Sequence, residues 1–201
     1  MMINLVKNYS ELPRMERKYF LANHQAWILD YYVKSSVSGL KEIYYQRKIN
    51  NVYFDTQDFS FLKDNLVGAN LRMKLRLRWY GDTKMHNPNL EIKMKQGDLV
   101  YKLVKKYNSH DLPLQIKEVV KRLKPSLTNS YYRKYFLTAN QKIRLTVDTR
   151  IMFENKLSDK TVVELKYSPE SEKQASQLIS SFPLGLQKNS KYVEGMAIKF
   201  S

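Results

Sequence analysis

Hydrophobic and polar residues alternate most regularly from Asn70 to Tyr80. Arg72, Lys74, Arg76 and Arg78 take every second position there, with Leu71, Met73, Leu75, Leu77 and Trp79 between them. A period of two predicts a β-strand with one cationic and one apolar face. Same-face side chains start about 6.8 Å apart, so each adjacent cation pair costs on the order of 2 kcal/mol at an effective dielectric near 20. Such a face needs open solvent, neighbouring carboxylates or a bound polyanion.

The same alternation recurs along the chain. Leu12 to Phe20 reads as a first strand with Arg14, Glu16 and Lys18 on one face. Lys48 to Thr56 is a second, and the cationic strand, ended by Gly81 and Asp82, is the third. Asn89 to Lys95 and Leu99 to Tyr107 are joined by the tight turn Gln96-Gly97-Asp98, and Glu91, Lys93 and Lys95 share a face of the first of them. Tyr131 to Thr138, Lys142 to Phe153 and Thr161 to Tyr167 complete eight strands. The seventh places Arg144, Thr146, Asp148 and Arg150 on one side, and the eighth does so with Glu164 and Lys166.

Helical spacing is expected from Asn23 to about Ser35, with Asn23 as cap and Ala26, Trp27, Ile28, Tyr31 and Tyr32 buried. A short helical turn over Gln57 to Asn65, a helix from Leu114 to Leu123 stopped by Pro125, one from Pro169 to Ser181, and one starting near Ser190 complete the pattern.

Eight strands with few helices predict an α+β protein whose antiparallel sheet closes into a β-barrel, because an open sheet of that size leaves edges to protect. Charge of both signs on one face of five strands predicts a polar, cation-lined lumen, with the apolar outer faces covered by helices. Length adds that residues 1–201 read as one domain, large enough for a core without staples. The chain has no cysteine, which removes disulfides and thiolate metal sites. It shows neither an apolar leader nor a run of eighteen apolar residues, so the expected location is cytoplasmic.

The net charge of +16, from 35 Lys and Arg against 19 Asp and Glu, calls for a polyanionic partner. His24, His86 and His110 lack ligand spacing, and the fifteen tyrosines mostly follow strand or helix periodicity, which favours packing over base stacking. By charge alone the candidate partners are free phosphate chains, acidic lipid and nucleic acid. The last needs cations on an open surface rather than cations beside carboxylates.

Seven ordered segments resemble the VTC domain, the polyphosphate polymerase branch of the triphosphate tunnel metalloenzymes. They are ERKYF at 16–20, INNVYFDT at 49–56, RMKLRLRWYG at 72–81, LEIKMK at 90–95, IRLTVDT at 143–149, VVELKY at 162–167 and KNSKYVEGM at 188–196. The resemblance implies an eight-stranded tunnel that binds a triphosphate and Mn²⁺ or Mg²⁺, and that moves the terminal phosphate of ATP onto polyphosphate. It places Lys18, Arg76, Arg78, Lys93, Arg144, Lys188, Ser190 and Lys191 at phosphate-binding positions. It makes Glu164 the main metal ligand, with Glu16 and Glu91 as further candidate carboxylates. Arg72, Lys74, Lys95, Arg133 and Lys166 join the phosphate set by strand face.

Arg14 stands where the wider superfamily has the first Glu of Glu-x-Glu-x-Lys, which argues against a two-metal hydrolase. A triphosphatase of the same fold, or a module that holds polyphosphate or a triphosphate without turnover, is the alternative. The expected ligands are ATP or another triphosphate and inorganic polyphosphate, and nucleic acid is not expected. A membrane-protein partner for product export, which would hold the chain at the inner face of a membrane, is compatible with this reading.

Overall fold

The computed structural model describes residues 14–82, 84–97, 99–107, 113–182, the backbone of 185–186, and 190–201. Its elements, in chain order, are β1 (Met15–Ala22), α1 (Ile28–Ser35), β2 (Lys41–Asp55), α2 (Ser60–Leu66), β3 (Leu71–Tyr80), β4 (Asn89–Gln96) and β5 (Leu99–Lys106). They continue as α3 (Leu114–Lys121), β6 (Lys124–Leu137), β7 (Ile143–Phe153), β8 (Lys156–Leu157), β9 (Lys160–Tyr167), α4 (Glu172–Ser180), β10 (Gly185–Leu186) and α5 (Lys191–Phe200). None of the described helices is long and apolar enough to cross a membrane.

The chain divides into two compact units, one made of residues 49–129 and 190–201 and the other of 14–48 and 130–189, with residues 1–13 assigned to the first. In the first, the strand order is β6-β2-β3-β4-β5. The strict alternation in β3 and β4 sorts their apolar sides into one cluster, where Leu75, Leu77, Leu90, Ile92 and Met94 join Leu103 of β5 and Ile116 of α3. Gly97, at φ 57°, makes the two-residue turn that sets Gln96 opposite Leu99, and Asn70 holds that turn by accepting the Gly97 N–H.

In the second unit the order is β10-β1-β9-β7-β6-β2, with β8 beside β7. Its core collects Tyr19, Leu21, Leu145, Val147, Val163 and Leu165 from the strands and covers them with Leu29 and Val33 of α1 and Ala175 and Leu178 of α4. Each unit therefore has an apolar sheet side under helices and a charged side opposite.

Several expectations are corrected. The closed barrel is replaced by an antiparallel sheet of ten strands whose hydrogen-bonding order, among the described residues, has two ends, β10 and β5. The edge of β1 away from β9 is taken by the two-residue β10, with Tyr19 opposite Leu186. Strand β2 begins at Lys41 rather than Lys48, because partnership with β6 supports a stretch whose own pattern is weak. Strand β6 begins at Lys124, and Pro125 sits inside its first residues, where a missing N–H is tolerated.

The helix expected from Asn23 is divided into a 3₁₀ turn, Asn23–Gln25, and α1. Asn23 does not cap it. Its amide donates to the Ser158 carbonyl and accepts from Thr161. Leu29 and Val33 are the buried pair, while Trp27 and Tyr31 face water. The start of the first expected strand, Leu12 and Pro13, lies outside the described residues.

Candidate functional site

The charged side of the first unit is organised by register. Antiparallel pairing sets Arg76 opposite Glu91, Lys74 opposite Lys93 and Arg72 opposite Lys95. The next hairpin sets Lys93 opposite Lys102, so Lys74, Lys93 and Lys102 form one row across three strands. Eight cationic side chains share these faces of β3, β4 and β5, namely Arg72, Lys74, Arg76, Arg78, Lys93, Lys95, Lys102 and Lys106, against the single carboxylate Glu91.

Glu91 is 4% exposed and lies among three of the cations. Arg76 donates to its Oε2 from Nε at 2.9 Å and Nη2 at 2.6 Å, Lys102 donates to Oε1 at 2.9 Å, and Arg78 reaches Oε1 at 3.4 Å. Burial works to raise its pKa, but Arg76, Arg78 and Lys102 together hold the carboxyl well below its usual range. The cations are held in turn: Arg76 by the Tyr53 hydroxyl at 3.0 Å and Arg78 by the Asn51 amide oxygen at 2.9 Å.

Lys102 is the exception among these cations. Burial, with Arg76 and Arg78 nearby, brings its pKa down to about 8 despite the attraction of Glu91. Sequence reasoning did not select Lys102. The signal was present in the Gly97 turn, which fixes the hairpin register and therefore the partner of Lys93.

At the start of α5, Ser190 is the helix cap and its hydroxyl accepts the Val193 N–H. Lys191 opens that helix. Lys188 lies outside the described residues, as does His110. Tyr192 in the same helix donates to Asp55 at 2.6 Å, and its ring stacks on Tyr53 at 5.1 Å. The C-terminal helix is thereby tied to the tyrosine that holds Arg76.

The charged side of the second unit has its own carboxylate centre. Pairing aligns Lys18, Glu164 and Thr146 across β1, β9 and β7, and aligns Glu16, Lys166 and Arg144 in the next row. Glu164, 6% exposed, has Lys166 at 3.2 Å, Arg133 at 3.8 Å and Lys18 at 4.0 Å. These contacts are looser than those of Glu91. Arg133 of β6 also makes a two-pronged bond to Asp148, with Nε on Oδ1 at 2.5 Å and Nη2 on Oδ2 at 2.7 Å. Burial opposes its charge, yet Asp148, Tyr131 and Glu164 keep the guanidinium firmly protonated. Asp148 is thus a member that the sequence reading put on the right face without assigning it a part. Arg144 stays exposed on its row.

No group of three or more His, Cys, Asp or Glu able to hold a metal occurs among the described residues. The donor set does fit a divalent ion held in the manner of Mg²⁺, by one or two carboxylates with substrate phosphates and water supplying the rest. Glu164, with its looser ion pairs, suits that part. Glu164 also faces cations at both oxygens, Lys18 at 4.0 Å on Oε1 and Lys166 at 3.2 Å on Oε2, but the Glu91 oxygens are held more closely, at 2.6 and 2.9 Å.

Against known proteins, the family profile of the VTC domain matches residues 13–111 and 102–200. Among solved structures, the PH1819 protein from Pyrococcus horikoshii OT3 is similar at 13% identity and a TM-score of 0.55, covering 92% of this chain and 96% of that one. A candidate adenylate cyclase from Bacillus halodurans is similar at 16% identity and 0.57, covering 90% and 95%. Another from Vibrio parahaemolyticus is similar at 14% and 0.56, covering 92% and 98%. At these identities the likeness is one of fold. No curated protein matches the sequence. Because the two profile matches together run almost the length of the chain, it belongs to the VTC domain family.

Proposed function

We propose that this chain is a metal-assisted phosphotransferase that moves the terminal phosphoryl group of ATP onto the end of a polyphosphate chain. The observation that carries this reading is the face of β3, β4 and β5, with its eight cations against Glu91. A solvated surface has no need of that excess, whereas a polyphosphate neutralises it along its length. Arg72, Lys74, Arg76, Arg78, Lys93, Lys95 and Lys102 bind phosphate oxygens in the first unit, together with Ser190 and Lys191, and Lys188 joins the phosphate set on the family resemblance alone. In the second unit Lys18, Arg133, Arg144 and Lys166 do the same around Glu164.

Phosphoryl transfer asks the protein for positioning and charge neutralisation rather than a covalent nucleophile. The bond from the γ-phosphorus to its bridging oxygen breaks, ADP leaves, and a terminal oxygen of the acceptor chain forms the new P–O–P link. Arginines supply two-pronged contacts and lysines point charges along the chain. Glu164 would hold a divalent ion, Mn²⁺ or Mg²⁺, which would supply charge neutralisation at the phosphates. Arg14 in place of the first superfamily Glu favours transfer to phosphate over transfer to water. A triphosphatase and a binding module use the same residues.

The test is incubation of the pure protein with ATP and Mn²⁺ or Mg²⁺, with products resolved by length. ADP with phosphate chains is the expected result. Orthophosphate alone identifies the triphosphatase, and no product overturns the phosphotransferase.

A further inference from the structure

A cluster of aromatic rings shares strand β6 with Arg133 of the Glu164 centre and contains none of the residues assigned to phosphate above. In β2 the Arg47 guanidinium sits 4.7 Å from the Tyr44 ring centre, 5.3 Å from that of Tyr45 and 5.7 Å from that of Tyr135. Tyr44 and Tyr135 meet edge to face at 5.6 Å. All four residues belong to the second unit. Singly exposed aromatics are ordinary on a surface, but three rings gathered on one guanidinium form a preset π surface. Tyr44 is 48% and Tyr45 78% exposed, so both side chains reach solvent.

The position of the cluster gives it a use. Tyr135 follows Arg133 by two residues in β6, which puts both side chains on the same side of the strand about 6.8 Å apart at their origin. Arg133 reaches Asp148 and Glu164. A ligand that runs from the Glu164 centre along this side passes from cations to aromatic rings within one strand repeat. Polyphosphate gains nothing from such rings, whereas a flat heterocycle attached to a phosphate chain gains a stacking partner.

We propose that Tyr44, Tyr45, Tyr135 and Arg47 form a platform for the base of a nucleoside triphosphate whose phosphates lie toward Arg133 and Glu164. The proposal rests on the triphosphate-binding reading above and deepens it: this platform separates nucleotide from free polyphosphate.

The experiment compares calorimetric affinities for ATP and for tripolyphosphate at fixed ionic strength and Mg²⁺. It uses the wild-type protein, the double variant Tyr44→Ala/Tyr45→Ala, and Tyr45→Phe. Both tyrosines reach water, so the alanine pair retains the fold, which a melting curve checks. In the double variant the preference for ATP relative to tripolyphosphate falls roughly tenfold, and Tyr45→Phe, which keeps a ring, preserves it. An unchanged ratio in the double variant, whether both affinities hold or both fall together, overturns the platform and leaves the triphosphate reading intact. Wild-type protein that binds ATP with the tyrosine dependence but not tripolyphosphate overturns the phosphate face instead. Binding of neither ligand overturns both.

Discussion

Lys102 donates to Glu91 across neighbouring strands at 2.9 Å, yet that partnership leaves its pKa near 8 instead of 10.5. Burial beside Arg76 and Arg78 outweighs one shared carboxylate. Between pH 8 and 10.5 the folded chain therefore binds fewer protons at this group than the unfolded chain, and Lys102 makes stability rise with pH in that window. A bound polyphosphate reverses the balance by favouring the charged ammonium. We predict that tripolyphosphate binding at pH 8.5 takes up a proton and weakens as pH rises through 8. Calorimetry in two buffers of different ionisation enthalpy measures the uptake. If Lys102→Met takes up as many protons as the wild type, the ammonium is not at the ligand.

Glu91 and Glu164 should separate stability from turnover. Glu91→Gln removes the charge that gathers Arg76, Arg78 and Lys102, and we predict a loss of about 2 to 3 kcal/mol. That is less than for a fully buried pair, because Arg76 and Lys102 reach water. Added polyphosphate should restore part of the melting temperature. Glu164→Gln, whose ion pairs are longer, should melt close to wild type and lose metal-dependent turnover. Full activity of Glu164→Gln at limiting metal would remove Glu164 from the site.

Arg76 and Arg17 test the strand faces. Arg17 turns away from the charged side and binds Glu172 and Ser176 of α4. We expect Arg76→Ala to weaken tripolyphosphate binding at least tenfold. Arg17→Ala should leave binding within twofold and cost no more than about 1 kcal/mol, since its ion pair is well exposed to solvent. Equal losses in binding at the two positions would mean that the register is wrong.

A polyanion should stabilise the folded chain by relieving the cation row Lys74, Lys93 and Lys102. At a hundred times its dissociation constant, tripolyphosphate is predicted to add about 2.7 kcal/mol, a melting rise of roughly 5 to 10 °C for a chain of this size. Duplex DNA at equal phosphate concentration should give a small rise that salt erases. A DNA shift as large as that of polyphosphate at physiological salt would identify a nucleic-acid surface.

The strands that could be read from sequence were those whose burial differs between faces. β3, β4, β7 and β9 alternate because one side meets a helix-covered core and the other a charged side, and their bounds fall within a residue or two of expectation. The first half of β2 could not be read, since both of its faces are largely exposed and only its partner β6 makes it a strand. Likewise the buried stripe of α1 could not be read, because hydrophobic residues surround that helix and packing, not composition, decided that Leu29 and Val33 turn inward. The candidate cations were legible by alternation. Lys102 and Asp148 needed cross-strand pairing, which a single strand's pattern does not carry.

The hydroxyl of Tyr192 on Asp55 joins residues 137 positions apart, and this separation sets an order of events during synthesis. Asp55 leaves the ribosome long before its phenol partner exists. The last residue of the second unit, 189, is made before residues 190–201 of the first, which carry its closing helix α5. We therefore expect the second unit to finish folding first, while residues 49–129 wait with a carboxylate one of whose donors is still to come. In nascent chains stalled so that residues up to 189 have emerged, limited proteolysis should cut within 56–129 and spare 143–180. Equal protection of both stretches at that length would show that the closing helix is an ornament on a half already folded.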